Sequence, residues 1–413
     1  MVVVRSLKDI LALKIKARHD SPCDQFSRLF MTKMFLIAAV IMGFDYFSDR
    51  ISCIHPKKTD LTKEFIHAAC WISGFYVYKE MRDRPRESGY YGIPYKIDHD
   101  GIDTQTQQLC LTNNVKVFRP ECQSMTRIYY LQYQWMPFYI GALGVLYYLP
   151  YILFRIINVD LISLKSVLKS VTSDADHIVR NYFNYKINSI SKLRMRVVLN
   201  LFVKCLYIVV NLFGFYFTDY LLHGNYRSYG TEYVRWARSD SARSHLPIKF
   251  RKGPKPGNHL LPTMGYCEVE EASKDQLTVH HNSYVFLCEI STNILYQYVL
   301  VVLWFLFIIS ICISIIGLLS ALFGHLFKLT CYSRSSPKKT IYRVITLREA
   351  EYLNFIKTKN MVMYGEVLRK LKQQRSDLQG KIIDGFETTM FIRNGLEVKA
   401  SAPNAVNGSI RLC

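Results

Sequence analysis

The thirty consecutive residues Ile294–Phe323 carry no charged side chain. About 20 mostly apolar residues cover the hydrocarbon core of a bilayer, and a helix satisfies its own backbone there. A buried helix of a soluble protein is the alternative for an apolar run, and a charge-free run of this length argues against it. Three further apolar runs, Met31–Phe47, Ile128–Phe154 and Val198–Leu222, complete a set of four. The second and third are also long enough to span with tilt. The first is short, with Lys33 and Asp45 near its ends. It spans if Lys33 reaches one headgroup layer while Asp45 faces the other layer or a water-filled lumen. The expectation is a four-span, all-α membrane protein.

The chain has 413 residues and a net charge of +21. A soluble protein of that charge would raise the question of nucleic acid. Here the charge sorts by compartment instead. Segments 1–30, 155–197 and 324–413 hold 30 Lys and Arg against 13 Asp and Glu; segments 48–127 and 223–293 hold 21 against 17. Positive flanks mark the cytoplasmic side. Both termini and the loop 155–197 are therefore expected inside the cell, and the loops 48–127 and 223–293 outside. Basic flanks beside anionic lipid account for the charge without a nucleic-acid partner. Arg5, Lys8, Asp9, Lys14, Lys16 and Arg18 break the first 20 residues. No signal-peptide core is left there, and the first span is expected to act as its own insertion signal.

Of 11 cysteines, six (Cys53, Cys70, Cys110, Cys122, Cys267 and Cys288) fall in the two loops expected outside. Disulfides persist in an oxidising space, and an even set fits a disulfide framework whose connectivity spacing cannot give. No Cys-x-x-Cys occurs, and His280 and His281 have no ligand-spaced cysteine, so no metal site is expected. Cys110 and Cys122 flank a short segment within a polar stretch, 81–122, where a third, local disulfide is expected. The sequence holds no HExxH, P-loop, GxSxG or dinucleotide fingerprint, so neither an enzyme nor a cofactor is expected.

The stretch that begins the second span reads Gln132-Tyr133-Gln134-Trp135-Met136-Pro137-Phe138. Its aromatic and amide groups suit a membrane interface. Together with Arg50-Ile51-Ser52-Cys53-Ile54-His55-Pro56, Cys70-Trp71, Leu261-Pro262 ahead of Cys267, and Leu303-Trp304-Phe305 in the fourth span, it resembles the innexins. These are the gap-junction proteins of invertebrates, relatives of the pannexins. The family signature has Tyr and Val where this chain has Gln132 and Met136, and the stretch around Cys53 lacks the Pro and Trp of the family's Pro-Ile-x-Cys-Trp-x-Pro, which marks a divergent member.

The resemblance implies two disulfide-braced extracellular loops and a helical cytoplasmic dome formed by 155–197 and the tail. It implies pairing of Cys53 with Cys288 and Cys70 with Cys267; pairing within each loop is the alternative. It implies a homo- or hetero-oligomer, eight subunits in the family pattern, forming a hemichannel in the plasma membrane. Such a hemichannel either docks at cell junctions with an apposed one through its outer loops or stays unpaired. An N-terminal segment folded into the pore would put Arg5 and Lys8 at its inner mouth; an amphipathic helix lying on the inner leaflet is the alternative. Asp45 is a candidate pore-facing acid, with a headgroup-level carboxylate as the alternative. The function implied is a large-pore channel for ions and small molecules. A non-conducting four-span adhesion or accessory protein is the rival reading.

Overall fold

The structure is a computed structural model describing residues 20–48, 51–54, 61–112, 121–169, 174–184, 187–239, 242, 254–274, 279–334, 346–371 and 373. Among these residues are four helices long and apolar enough to cross a membrane: Pro22–Phe44, Gln132–Ile157, Ile190–Leu221 and Thr292–Phe327. In chain order, α1 (Thr32–Ser48) continues a single α-turn, Pro22–Gln25, and a π-helical stretch, Phe26–Met31. There follow α2 (Lys63–Ser73), α3 (Gln132–Ile157), α4 (Val159–Lys169) and α5 (Ala175–Tyr182). Then come α6 (Ile190–Leu221), α7 (Tyr229–Arg238), α8 (Thr292–Arg334) and α9 (Leu347–Lys359).

The first spanning helix starts earlier than its apolar run. Asp24, Gln25, Ser27 and Arg28 interrupt the hydrophobic pattern before Met31, yet all four are buried in the protein. Protein, not lipid, surrounds them, and the helix therefore accommodates them.

The chain divides into two compact units. Among the described residues, the first comprises those within 22–149 and 207–314; the second comprises those within 20–21, 150–206 and 315–373. In the first unit the four spans share one buried chain of hydrogen bonds. Ser27 Oγ lies 3.3 Å from Ser314 Oγ of α8, and Asn211 Nδ2 of α6 donates to Ser314 Oγ at 2.9 Å. The Tyr147 hydroxyl of α3 donates to Asn211 Oδ1 at 2.7 Å. Each span contributes one polar group to this chain. Such bonds are worth only about 0.6 kcal/mol each in a bilayer, so they set helix register more than they stabilise the bundle. Phe35 packs beside them, 4.9 Å from the Tyr147 ring and 5.3 Å from Phe307.

The all-α expectation fails in the segments between spans. Ten strands occur among the described residues: β1 (Ser52–Cys53), β2 (Phe75–Tyr78), β3 (Ser88–Tyr90), β4 (Ile93–Pro94), β5 (Gly101–Asp103), β6 (Leu109–Cys110), β7 (Cys122–Ser124), β8 (Arg127–Tyr130), β9 (Met264–Lys274) and β10 (Val279–Glu289). Five of them form an antiparallel sheet in the order β1-β10-β9-β2-β8. Most strands are too short to show an alternating pattern, and their partners are distant: Ser52 pairs with Glu289, and Tyr76 with Tyr266. Residues 128–130, the start of the second apolar run, belong to β8, and α3 begins only at Gln132.

Local chemistry fixes α2 against this sheet. Thr62 caps its N-terminus, accepting from the Phe65 amide at 3.3 Å. Gly74 ends it at φ +81°, a left-handed conformation that glycine adopts without strain. Ile66 and Cys70, four residues apart on one face, are the buried positions.

The second unit is helical among its described residues. Leu161 and Leu164 of α4, Ile178 and Val179 of α5, and Tyr352 and Ile356 of α9 meet in its core, with Val367 from a further helical stretch, 361–371. Arg348 is fully buried there. It donates to both carboxylate oxygens of Asp160, at 3.0 and 2.7 Å, to Asn158 Oδ1 at 2.8 Å and to Glu351 Oε2 at 2.8 Å. Arg196 and the Tyr352 hydroxyl also donate to Asp160. Burial works to raise the Asp160 pKa, but the bonds and charge of Arg348, then Tyr352 and Arg196, prevail and hold it below the usual carboxylate range. A capping box, Thr346 with Glu349, starts α9 two residues before this arginine.

Candidate functional site

The residues singled out in the sequence gather where the sheet meets the second span. Cys53 and Cys288 are direct register partners across β1 and β10 and are disulfide-bonded. Cys70, on the buried face of α2, is bonded to Cys267 of β9. Both bridges join the first inter-span segment to the third. Sulfurs of Cys53, Cys70 and Cys288 lie within 4.8 Å of one another, but they are disulfide sulfurs and offer no thiolate set for a metal. His67, one turn from Cys70, accepts the Cys53 amide at Nε2, 3.3 Å away. Cys110 and Cys122 are bonded within a separate sheet of order β6-β5-β7. Gly101 of β5 is needed there, because a Cβ would meet Cys122 Sγ at 2.7 Å and the Gln123 carbonyl at 2.9 Å.

The aromatic-amide stretch closes on the same point. The Tyr133 hydroxyl donates to the Trp71 carbonyl at 2.8 Å, and Gln134 Nε2 donates to the same oxygen at 2.6 Å and to the Ile72 carbonyl at 3.3 Å. These are carbonyls of the last turn of α2, which have no partner within the helix. The stretch thus caps the C-terminus of α2 and ties it to the first turn of the span. The Tyr133 ring packs on Trp71 at 4.7 Å and Phe75 at 5.8 Å. Gln132, a departure from the family signature, bonds His223 beyond the end of α6 at 2.9 Å, and the other departure, Met136, is fully buried. Trp135 meets Tyr139 edge-on, and α3 runs through the buried Pro137. Phe138 is 63% exposed.

Residues that sequence reasoning passed over complete the site. Arg82 donates to the Tyr130 hydroxyl and its guanidinium lies 5.9 Å from that ring. Tyr91 and His259 Nδ1 are 2.7 Å apart. Burial, then the positive charge of Arg82, pushes both His223 and His259 below their usual pKa, so both are neutral at pH 7. Burial pushes the Tyr76 and Tyr266 phenols well above theirs. Arg127 bridges Glu268 at 2.6 Å across the sheet, its guanidinium 4.7 Å from the Tyr76 ring. No sequence signal marked Arg82 or Arg127, which read as loop charges. The arrangement braces two segments against one span end, and its titratable groups are paired or neutral.

Of the other sequence candidates, Arg5 and Lys8 lie outside the described residues, and for Asp45 only the backbone, within α1, is described. Lys204 Nζ bonds Ser21 Oγ at 3.3 Å, and Asp219 accepts the Tyr226 and Arg227 amides at 2.9 and 2.8 Å.

Fold and site together define a class: a multi-pass membrane protein whose spans carry a disulfide-crossed sheet built from two inter-span segments. The sequence model of one family, Innexin, matches residues 20–378, and the chain belongs to that family. Innexin inx3 of Drosophila melanogaster is 22% identical over 297 residues, 70% of this chain and 65% of the relative. Innexin inx4 of the same fly is 22% identical over 314 residues, 74% of this chain and 75% of the relative. The chain therefore spans just under two thirds of the length of inx3.

Proposed function

We propose that this chain is a subunit of an oligomeric large-pore channel, a gap junction or an unpaired hemichannel, that passes ions and small molecules. Family membership supports the reading. The observation that carries it is the double bridge, Cys53–Cys288 and Cys70–Cys267, anchored to the span by Tyr133 and Gln134. A pore mouth that seals against water and ions must keep one shape, and ordering both segments as one braced sheet provides that. Disulfides belong in an oxidising space, which favours the sheet on the extracellular side and both termini in the cytoplasm. The charge bias of the flanks favours the same orientation.

Conduction needs no catalytic group. Copies of the chain pack as a closed ring around water, and charges near the constrictions select permeants. In this reading Arg5 and Lys8 line the inner mouth and disfavour cations there, and Asp45 faces water near the outer end of the first span. In a gap junction, docking of an apposed ring uses the sheet and its loops.

The test is dye uptake and whole-cell conductance in cells expressing only this chain. The proposal expects uptake of a small anionic dye, with Arg5→Glu/Lys8→Glu shifting permeability toward cations at least threefold. Surface-expressed oligomers that pass neither dye nor current under any voltage or calcium condition would instead establish the non-conducting adhesion reading.

A further inference from the structure

Past the end of α6 the chain reverses through His223 and Gly224, both at positive φ. The Asp219 carboxylate pins the returning strand by accepting the Tyr226 and Arg227 amides, and the Trp304 indole holds the Arg227 carbonyl at 3.1 Å. With its backbone fixed on both sides, Arg227 places its guanidinium 5.3 Å from the Tyr216 ring centre and 3.6 Å from Asp219. Its side chain is still 67% exposed. Together with Tyr220, these groups line an open groove of about 560 Å³.

The groove lies at the membrane-surface end of a spanning helix. From its two tyrosines the face continues down the helix: Phe213, Tyr216, Phe217 and Tyr220 repeat at helical spacing on one exposed face of α6. Tyr220 is 77% exposed. An amphipathic ring at this depth belongs to the interface, and the rings beneath it offer a track for acyl chains.

We propose that this groove binds the headgroup of a zwitterionic phospholipid. Arg227 takes the phosphate, and Asp219 with the faces of Tyr216 and Tyr220 takes the quaternary ammonium. Guanidinium-to-phosphate pairing and ammonium on a tyrosine face are both favourable at a partly dehydrated surface. The negative end of the α6 dipole adds to the ammonium side. One cation beside one anion gives no net attraction for an anionic lipid. His223, kept neutral by burial and by Arg82, adds no charge. The proposal requires only that α6 crosses the bilayer; it is independent of conduction.

Native mass spectrometry of the purified full-length protein in neutral detergent tests it. The protein is titrated separately with phosphatidylcholine, phosphatidylglycerol, diacylglycerol, phosphocholine and inorganic phosphate. Retained phosphatidylcholine should exceed phosphatidylglycerol at least fivefold, with diacylglycerol and the two soluble anions not retained. Arg227→Gln should lower phosphatidylcholine retention at least tenfold with an unchanged melting profile. Asp219→Asn keeps an oxygen to accept the two amides, and so keeps the turn. It should invert the preference toward phosphatidylglycerol, which a merely destabilising change would not do. Equal retention of the two phospholipids by the native protein would overturn the proposal, as would phosphatidylcholine retention unaffected by Arg227→Gln. Retention of inorganic phosphate as strong as that of lipid would make the groove a soluble-anion site and also overturn it. So would loss of oligomer mass in Arg227→Gln at unchanged lipid retention, which would make the groove a contact between subunits.

Discussion

Replacing the two sheet disulfides separately, as Cys53→Ser/Cys288→Ser and Cys70→Ser/Cys267→Ser, distinguishes sequence separation from structure. The separations are 235 and 197 residues. Chain entropy on those lengths gives about 5 kcal/mol for each bridge, with Cys53–Cys288 slightly the stronger. The structure reverses that order. Cys53 comes soon after the end of α1 at Ser48, and Cys288 shortly before the start of α8 at Thr292. Those helices are held together by the Tyr296 hydroxyl on the Met42 carbonyl, 3.1 Å apart and buried. When the sheet opens the spans remain packed, so Cys53–Cys288 closes a ring of only about ten residues, worth roughly 3 kcal/mol. Cys70–Cys267 then closes a second ring through the arms 53–70 and 267–288, about 38 residues, worth roughly 4 kcal/mol. Hydrogen exchange of the β9 and β10 amides reads the opening directly. Loss of Cys70–Cys267 should reduce their protection about a thousandfold, and loss of Cys53–Cys288 about a hundredfold. Equal losses, or a larger loss without Cys53–Cys288, would refute the reasoning that packed spans tether the ends of the sheet.

Gln134→Leu removes the donor to the Trp71 and Ile72 carbonyls; a cost of about 1–2 kcal/mol is expected, seen as faster exchange at the C-terminal turn of α2. Arg348→Met leaves Asp160 buried without its main partner and should cost about 3–5 kcal/mol, read from exchange of the α9 amides. The folded pKa of Asp160 lies below its unfolded value, so its contribution is present above the ordinary carboxylate range and is lost as pH falls through the folded value. Protection of the α9 amides should therefore hold from pH 7 to about 5 and decline below about 4, and Asp160→Asn should lack that decline. Gly101→Ala forces a methyl group against Cys122 Sγ and the Gln123 carbonyl, at an expected cost of about 1–3 kcal/mol. Faster reduction of Cys110–Cys122 by a mild thiol would register it.

The spans were legible because the bilayer imposes one rule on every residue in contact with it, and Ile294–Phe323 obeys that rule without exception. The first span was legible only in part. Asp24 and Arg28 look like its flank, but burial in protein absorbs them into the helix. The sheet was hidden for a different reason: β1 and β8 have two and four residues, and their places in it come from β10 and β2. Ile128, Tyr129 and Tyr130 are apolar enough to join the following run, and only pairing with β2 assigns them to a strand. Tyr133 and Gln134 were legible as a resemblance, but their work as a cap on α2 depends on Trp71, some sixty residues earlier. Arg348 read as one more basic residue of a cytoplasmic tail. Its fourfold bonding depends on Asp160 and Asn158, nearly two hundred residues away, which no local pattern announces.

The central claim is that copies of this chain enclose a continuous aqueous pore. A single-particle image of the full-length protein in a lipid nanodisc tests it most directly. The expected result is a closed ring, eight copies by resemblance to the family, with the disulfide-crossed sheets at one rim and an open water path along the axis. Isolated monomers, or rings whose axis is filled by packed helices with no water path, would contradict it.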